Sequence, residues 1–265
     1  MIDFEYKSAY NVDDFRTIIK LLRSPGGCPW DIEQTHESIR RNLLEEAYEV
    51  CEAIDDKDTD HLREELGDLL MQVIFHAQME EENGSFDLDD VADAACKKLI
   101  YRHPHVFSDV NVSDSAEVLK NWDDLKRAEK SQTTVTKAME DVAKSLPALW
   151  RAEKIQKKAK KAGFDWPDIA GAMEKLSEEL GEFNEARVEG DSGHIEEELG
   201  DLLFTLVNIA RFEGVDPEMA LHKSCDKFTR RFEGLETAAG KQGKSLSNMT
   251  LDEMEELYQA AKSKE

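Results

Sequence analysis

Four carboxylates recur twice in this chain with the same internal spacing. Glu46, Glu49, Glu65 and Asp68 are matched by Glu179, Glu182, Glu198 and Asp201, every member displaced by 133 residues. Each set reads E-x-x-E followed by E-x-x-D, the latter inside the repeated hexapeptide ELGDLL. Residues at i and i+3 share one helix face, so each pair projects together. Leu180, Leu199, Leu202, Leu203 and Phe204 put the second set at the edge of an apolar seam, where repulsion and desolvation are costly unless a cation neutralises them. Ligation by oxygen alone suits a hard ion, Mg²⁺ or Mn²⁺, rather than zinc. Among 58 acidic residues a single E-x-x-E pair reads as a solvated helix face. Duplication at fixed spacing points instead to a metal site in at least one half. His103 and His105, in HPHVF, have no helical i, i+4 partner and read as packing or loop residues.

Two basic pairs follow the acids. Lys98 and Arg102 align with Lys227 and Arg231, both at i, i+4. On the surface of an acidic protein such pairs also serve as plain salt bridges. Beside a carboxylate-held metal they suit a polyphosphate, with Arg forking onto one phosphate and Lys supplying a point charge. No glycine-rich P-loop is present. The halves are not equivalent: Asn208 stands where the first half has Phe75, and Lys175 where it has Asn42. The second half is therefore expected to be the principal catalyst, and the first weaker, regulatory or structural.

Helices must position these groups. Apolar residues recur at helical spacing almost throughout, which predicts an all-α protein with helices near 13–23, 36–56, 60–82, 88–102, 114–129, 147–161, 170–189, 193–213, 216–238 and 250–263. The short turn in VEGDSGH makes two helices antiparallel and lets the acidic pairs face each other. The glycine of ELGDLL is expected to be a small spacer that permits close helix approach. The polar stretch 129–146 reads as a linker between modules at 1–128 and 147–265. An apolar content of 40% fills a real core, and a net charge of −24 argues against nucleic acid or an anionic membrane surface as partner. Cys28, Cys51, Cys96 and Cys225 form no C-x-x-C pair, and no basic-then-apolar leader or eighteen-residue apolar run occurs. A cytoplasmic protein that does not span a membrane is expected.

In order along the chain, GCPWDIEQTHESIRRNLLEEAYEV, REELGDLLMQVIFHAQ, RHPHVF, SLPALWRAEKIQKKAKKAGFDW, EEELGDLLFTLVNIAR and DKFTRRF resemble the MazG family of nucleoside triphosphate pyrophosphohydrolases. The resemblance implies tandem four-helix MazG modules in a homodimer. It also implies Mg²⁺ on the E-x-x-E and E-x-x-D carboxylates, and hydrolysis of nucleoside triphosphates to monophosphate and pyrophosphate, with broad base tolerance and a role in cleaning the nucleotide pool. It carries metal binding onto Glu179, Glu182, Glu198 and Asp201, with Glu46, Glu49, Glu65 and Asp68 as a second site. Triphosphate contact falls on Lys227 and Arg231, a nucleotide contact on Lys175, and a base-stacking role on Tyr258. Glu178 or Glu179 is the expected acceptor of the attacking water's proton. Cys225 departs from the family, where Asn is common. Two alternatives remain: a non-catalytic helical scaffold that senses nucleotide or metal, and a narrower pyrophosphohydrolase for dUTP, dCTP or phosphoribosyl-ATP.

Overall fold

A computed structural model describes residues 4–110 and 134–263, with isolated positions between them. The described residues are helical and contain no strand, as the periodicity predicts. The chain divides into two compact units, Met1–Lys126 and Arg127–Glu265.

The first unit contains α1 (Val12–Arg23), α2 (Pro29–Glu33), α3 (Arg40–Asp56), α4 (Thr59–Asn83), α5 (Leu88–Arg102) and α6 (Pro104–Phe107). Helices α3 and α4 form an antiparallel hairpin, and α1 packs against α4. Ile19, Ile39, Ile74, Phe75 and Met79 make its core. Each such side chain contributes roughly 1.5–3 kcal/mol on burial. Phe75 thus has a packing role, and the Arg23 guanidinium lies 5.2 Å from its ring centroid.

The second unit contains α7 (Val135–Glu140), α8 (Ala148–Lys161), α9 (Ile169–Glu189), α10 (Ser192–Phe212), α11 (Pro217–Lys241) and α12 (Leu251–Lys262). Helices α9 and α10 repeat the hairpin, α8 packs on α10, and α11 pairs with α12.

Both hairpins turn in two residues. In the second, Gly190 adopts φ 76 and the Asp191 side chain accepts from the backbone N–H groups of Gly193 and His194. In the first, Lys57 adopts φ 58 and Asp58 caps Asp60 and His61. A left-handed residue followed by an aspartate N-cap closes one helix and starts the next, which sets the acids opposite one another.

Several expectations need correction. The helix expected from residue 36 starts at Arg40, because Thr35 and Ser38 bond each other through side-chain hydroxyls and backbone N–H groups, a local alternative to helix. The short helices α2 and α6, each begun by proline, left too little periodicity to be seen. Helix α7 lies inside the stretch expected to be a linker; Ala138 and Val142 are buried there, and α7 packs on α8. Most of the helix expected at 114–129 lies outside the described residues. A Cβ added at Gly67 or Gly200 would meet open space, so within the chain these glycines do not serve helix approach. No described helix is long and apolar enough to cross a membrane.

Candidate active site

Helix α9 presents Glu179 and Glu182 one turn apart, and α10 presents Glu198 across the hairpin. One carboxylate oxygen from each lies within 4.8 Å of the other two. Glu179 is only 4% exposed. Burial, with the charges of Glu179 and Glu198, pushes the Glu182 carboxyl above the usual range, and Lys175 offsets this in part. Lys175, one turn before Glu179, places Nζ 2.8 Å from both Glu178 Oε1 and Glu179 Oε1. Those two hydrogen bonds, Glu178 first, hold its ammonium firmly charged. Glu198 Oε1 lies 3.2 Å from His194 Nε2, while Glu198 Oε2 is buried without a hydrogen-bond partner.

The first unit repeats the arrangement with Glu46 and Glu49 on α3 and Glu65 on α4, again within 4.8 Å of one another. Its counterpart of Lys175 is Asn42, so no ammonium balances the group from that position. Desolvation and the neighbouring acids raise both Glu46 and Glu65. His61 Nε2, 3.1 Å from Glu65 Oε1, opposes the shift at Glu65.

The remaining candidates are placed differently. Asp68 and Asp201 lie outside the tight groups, although the charge of Asp68 contributes to raising Glu46. Asn208 is buried, and its Oδ1 accepts from Nε and Nη2 of Arg211, whose guanidinium also forks onto Asp165. Through Arg211, Asn208 Oδ1 is tied to the loop holding Asp165 and Trp166. Lys227 is exposed on α11 and Arg231 half-buried one turn later. Tyr258 on α12 packs against Phe228, with ring centroids 5.7 Å apart, and Phe228 stacks on Phe232. Lys227, Arg231 and Tyr258 thus belong to the α11–α12 hairpin. In the first unit the aligned Arg102 is buried and lies 5.1 Å from the Trp122 ring centroid, a packing role.

Two features escaped the sequence reading. His61 and His194 are displaced by 133 like the acids, so the internal alignment contained that signal. Gly171 admits the Trp166 ring against α9 one turn before Lys175; a Cβ there would come within 2.2 Å of Trp166 Cδ1. Nothing local in the sequence marks that contact.

The donor set fits a hard divalent cation. It consists of carboxylate oxygens only, gathered within a cation's reach, and one member, Glu198, has a buried Oε2 without a hydrogen-bond partner.

Comparison with known proteins agrees with this geometry. Residues 34–107 and 169–235 match the MazG nucleotide pyrophosphohydrolase domain, and each segment contains one carboxylate hairpin. The chain is 45% identical over 257 residues to the nucleoside triphosphate pyrophosphohydrolase of Escherichia coli (strain K12), covering 96% of this chain and 98% of that one. It is 44% identical over 250 residues to the nucleoside triphosphate pyrophosphohydrolase/pyrophosphatase MazG of Thermotoga maritima, covering 94% and 95%. It is also 50% identical over 252 residues to the Bacillus subtilis protein YabN, covering 95% of this chain and 51% of that one. A domain match on both hairpins and nearly full-length relatives show that the chain belongs to the MazG nucleotide pyrophosphohydrolase family, carrying the domain twice.

Proposed function

We propose that the protein hydrolyses nucleoside triphosphates to monophosphate and pyrophosphate, with Mg²⁺ on the Glu179, Glu182 and Glu198 carboxylates, Asp201 completing the set, and Mn²⁺ able to replace it. The observation that carries this reading is the tight three-carboxylate group, one member of which, Glu198, has a buried Oε2 without a hydrogen-bond partner. The activity printed for the Escherichia coli and Thermotoga maritima relatives supports the substrate class. When bound, the cation neutralises phosphate charge and lowers the pKa of a coordinated water.

The chain's own residues do the rest. Lys175, 2.8 Å from Glu178 and Glu179, would turn to the triphosphate were those carboxylates to hold a cation, and Lys227 and Arg231 would grip the distal phosphates. Tyr258 stacks on the base, a contact every base offers, which fits broad tolerance and a role in cleaning the nucleotide pool. Glu178 is exposed and outside the tight group, with Oε1 2.8 Å from Lys175 Nζ, so it is placed to take the water's proton. The first unit, with Asn42 for Lys175, holds metal through Glu46, Glu49, Glu65 and Asp68 and contributes less to turnover.

A homodimer fits the same geometry. Leu180, Leu199, Leu203, Phe204 and Leu206 on the α9–α10 hairpin are each more than 40% exposed. Two such hairpins close a four-helix bundle and bury that surface. Two modules divided at Lys126 and Arg127 and a cytoplasmic location belong to this proposal, and nucleic acid and membrane are not among its partners.

The test incubates the purified chain with each ribo- and deoxyribonucleoside triphosphate, with Mg²⁺ or with chelator, and separates the products. Monophosphate and pyrophosphate, formed only with metal, are expected. Orthophosphate as first product overturns the bond assignment, and nucleotide binding without turnover makes the protein a sensor.

A further inference from the structure

We infer that His194 is a positioning residue for Glu198, fixing the carboxylate so that its second oxygen is presented to a cation, and that His61 does the same for Glu65. The inference rests on the metal reading above and adds residues to it.

His194 stands four residues before Glu198, so on α10 its imidazole lies over that carboxylate. Nε2 lies 3.2 Å from Glu198 Oε1, and Nδ1 lies 3.0 Å from Glu189 Oε2, the last residue of α9. Both ring nitrogens face carboxylate oxygens: Nδ1 is hydrogen-bonded to Glu189, and Nε2 lies at ion-pair distance from Glu198. With Oε1 held, Glu198 loses its rotational freedom, and Oε2 remains buried and unpartnered. A carboxylate oxygen in that state is costly until it meets a cation.

The first unit separates the two contacts. His61 Nε2 lies 3.1 Å from Glu65 Oε1, at the same i, i+4 spacing. Where the second unit has Glu189 the first has Asp56, one methylene shorter, and it makes no ion pair with His61. The histidine-to-cluster contact is common to both units, and the tie to the helix end is not. Metal ligands are commonly oriented by such outer partners, whose loss lowers metal affinity about 10–100-fold.

Glutamine and asparagine distinguish orientation from scaffolding, because a Gln amide nitrogen sits near the place of Nε2 and an Asn amide nitrogen near that of Nδ1. Mn²⁺ binding is measured by calorimetry on the full chain carrying Glu46→Gln and Glu49→Gln, which leaves the second cluster as the one observed. In that background His194→Ala is expected to weaken Mn²⁺ binding about 10-fold or more, His194→Gln to restore most of it, and His194→Asn not to. Undiminished binding in His194→Ala, or rescue by Asn rather than Gln, overturns the inference and leaves the metal reading standing. If the background binds no Mn²⁺, or Glu198→Gln does not reduce binding, the metal reading itself fails and the positioning role with it.

Discussion

Replacing Lys175 with methionine removes the cation that the second unit supplies to its own acidic group. Nζ lies 2.8 Å from Glu178 Oε1 and 2.8 Å from Glu179 Oε1. At that separation one contact is worth about 6 kcal/mol at an effective dielectric of 20, and about 1.5 kcal/mol in bulk water. The Lys175 side chain is 34% exposed and that of Glu179 only 6%, so the pair lies between those limits. After desolvation and side-chain ordering are discounted, a net loss of about 2 kcal/mol is expected, most of it the cost of leaving Glu179 buried and unpaired. The second unit, Arg127–Glu265, has about 140 residues. At ~2.1 cal/mol/K per residue, that loss lowers its melting temperature by about 7 °C. Scanning calorimetry of both proteins in chelator measures the drop. At saturating Mn²⁺ the deficit should shrink, because the cation neutralises the same oxygens and stabilises by mass action. The reciprocal change, Asn42→Lys, should raise the melting temperature of the first unit in chelator. An unchanged melting temperature for Lys175→Met, or a deficit that Mn²⁺ leaves intact, would refute the reasoning.

Three further outcomes are expected. Glu182→Gln should reduce nucleoside triphosphate hydrolysis at least ~100-fold while Glu49→Gln retains most of it; equal losses would remove the ranking of the two units. In chelator, Glu182→Gln should gain stability relative to wild type as pH rises from about 4 to about 7, followed by urea unfolding. The folded-state value of Glu182 lies above the ordinary one, so its repulsion is absent while it is protonated and grows as pH rises through the raised value; a pH-independent difference would contradict this. Lys57→Gly should stabilise the protein by about 0.5–1 kcal/mol, because Lys57 holds the left-handed conformation, φ 58, that Gly190 fills in the other hairpin. A lower denaturation midpoint would show that the Lys57 side chain contributes more than its backbone costs.

The sequence by itself determined whatever follows from helical geometry and short-range backbone chemistry. The i, i+3 spacing of Glu179 and Glu182, the aspartate caps at positions 58 and 191, and the Gly190 turn suffice to fold each duplicated segment into a hairpin with its glutamates opposed. The displacement of 133 was legible for the acids and equally present for His61 and His194. The tertiary structure decided which partner each polar side chain takes. Asn208 stands on the helix that carries Asp201, yet Arg211 claims its oxygen, because Arg211 is itself fixed by Asp165 from a loop 46 residues away. Phe75 marks a missing polar group in the alignment and a core position in space. Tyr258 is brought to the α11 helix of Lys227 and Arg231 by its contact with Phe228, a tertiary contact that spacing alone does not show. Spacing along one helix sets which groups share a face, whereas burial and competition among distant partners set what that face binds.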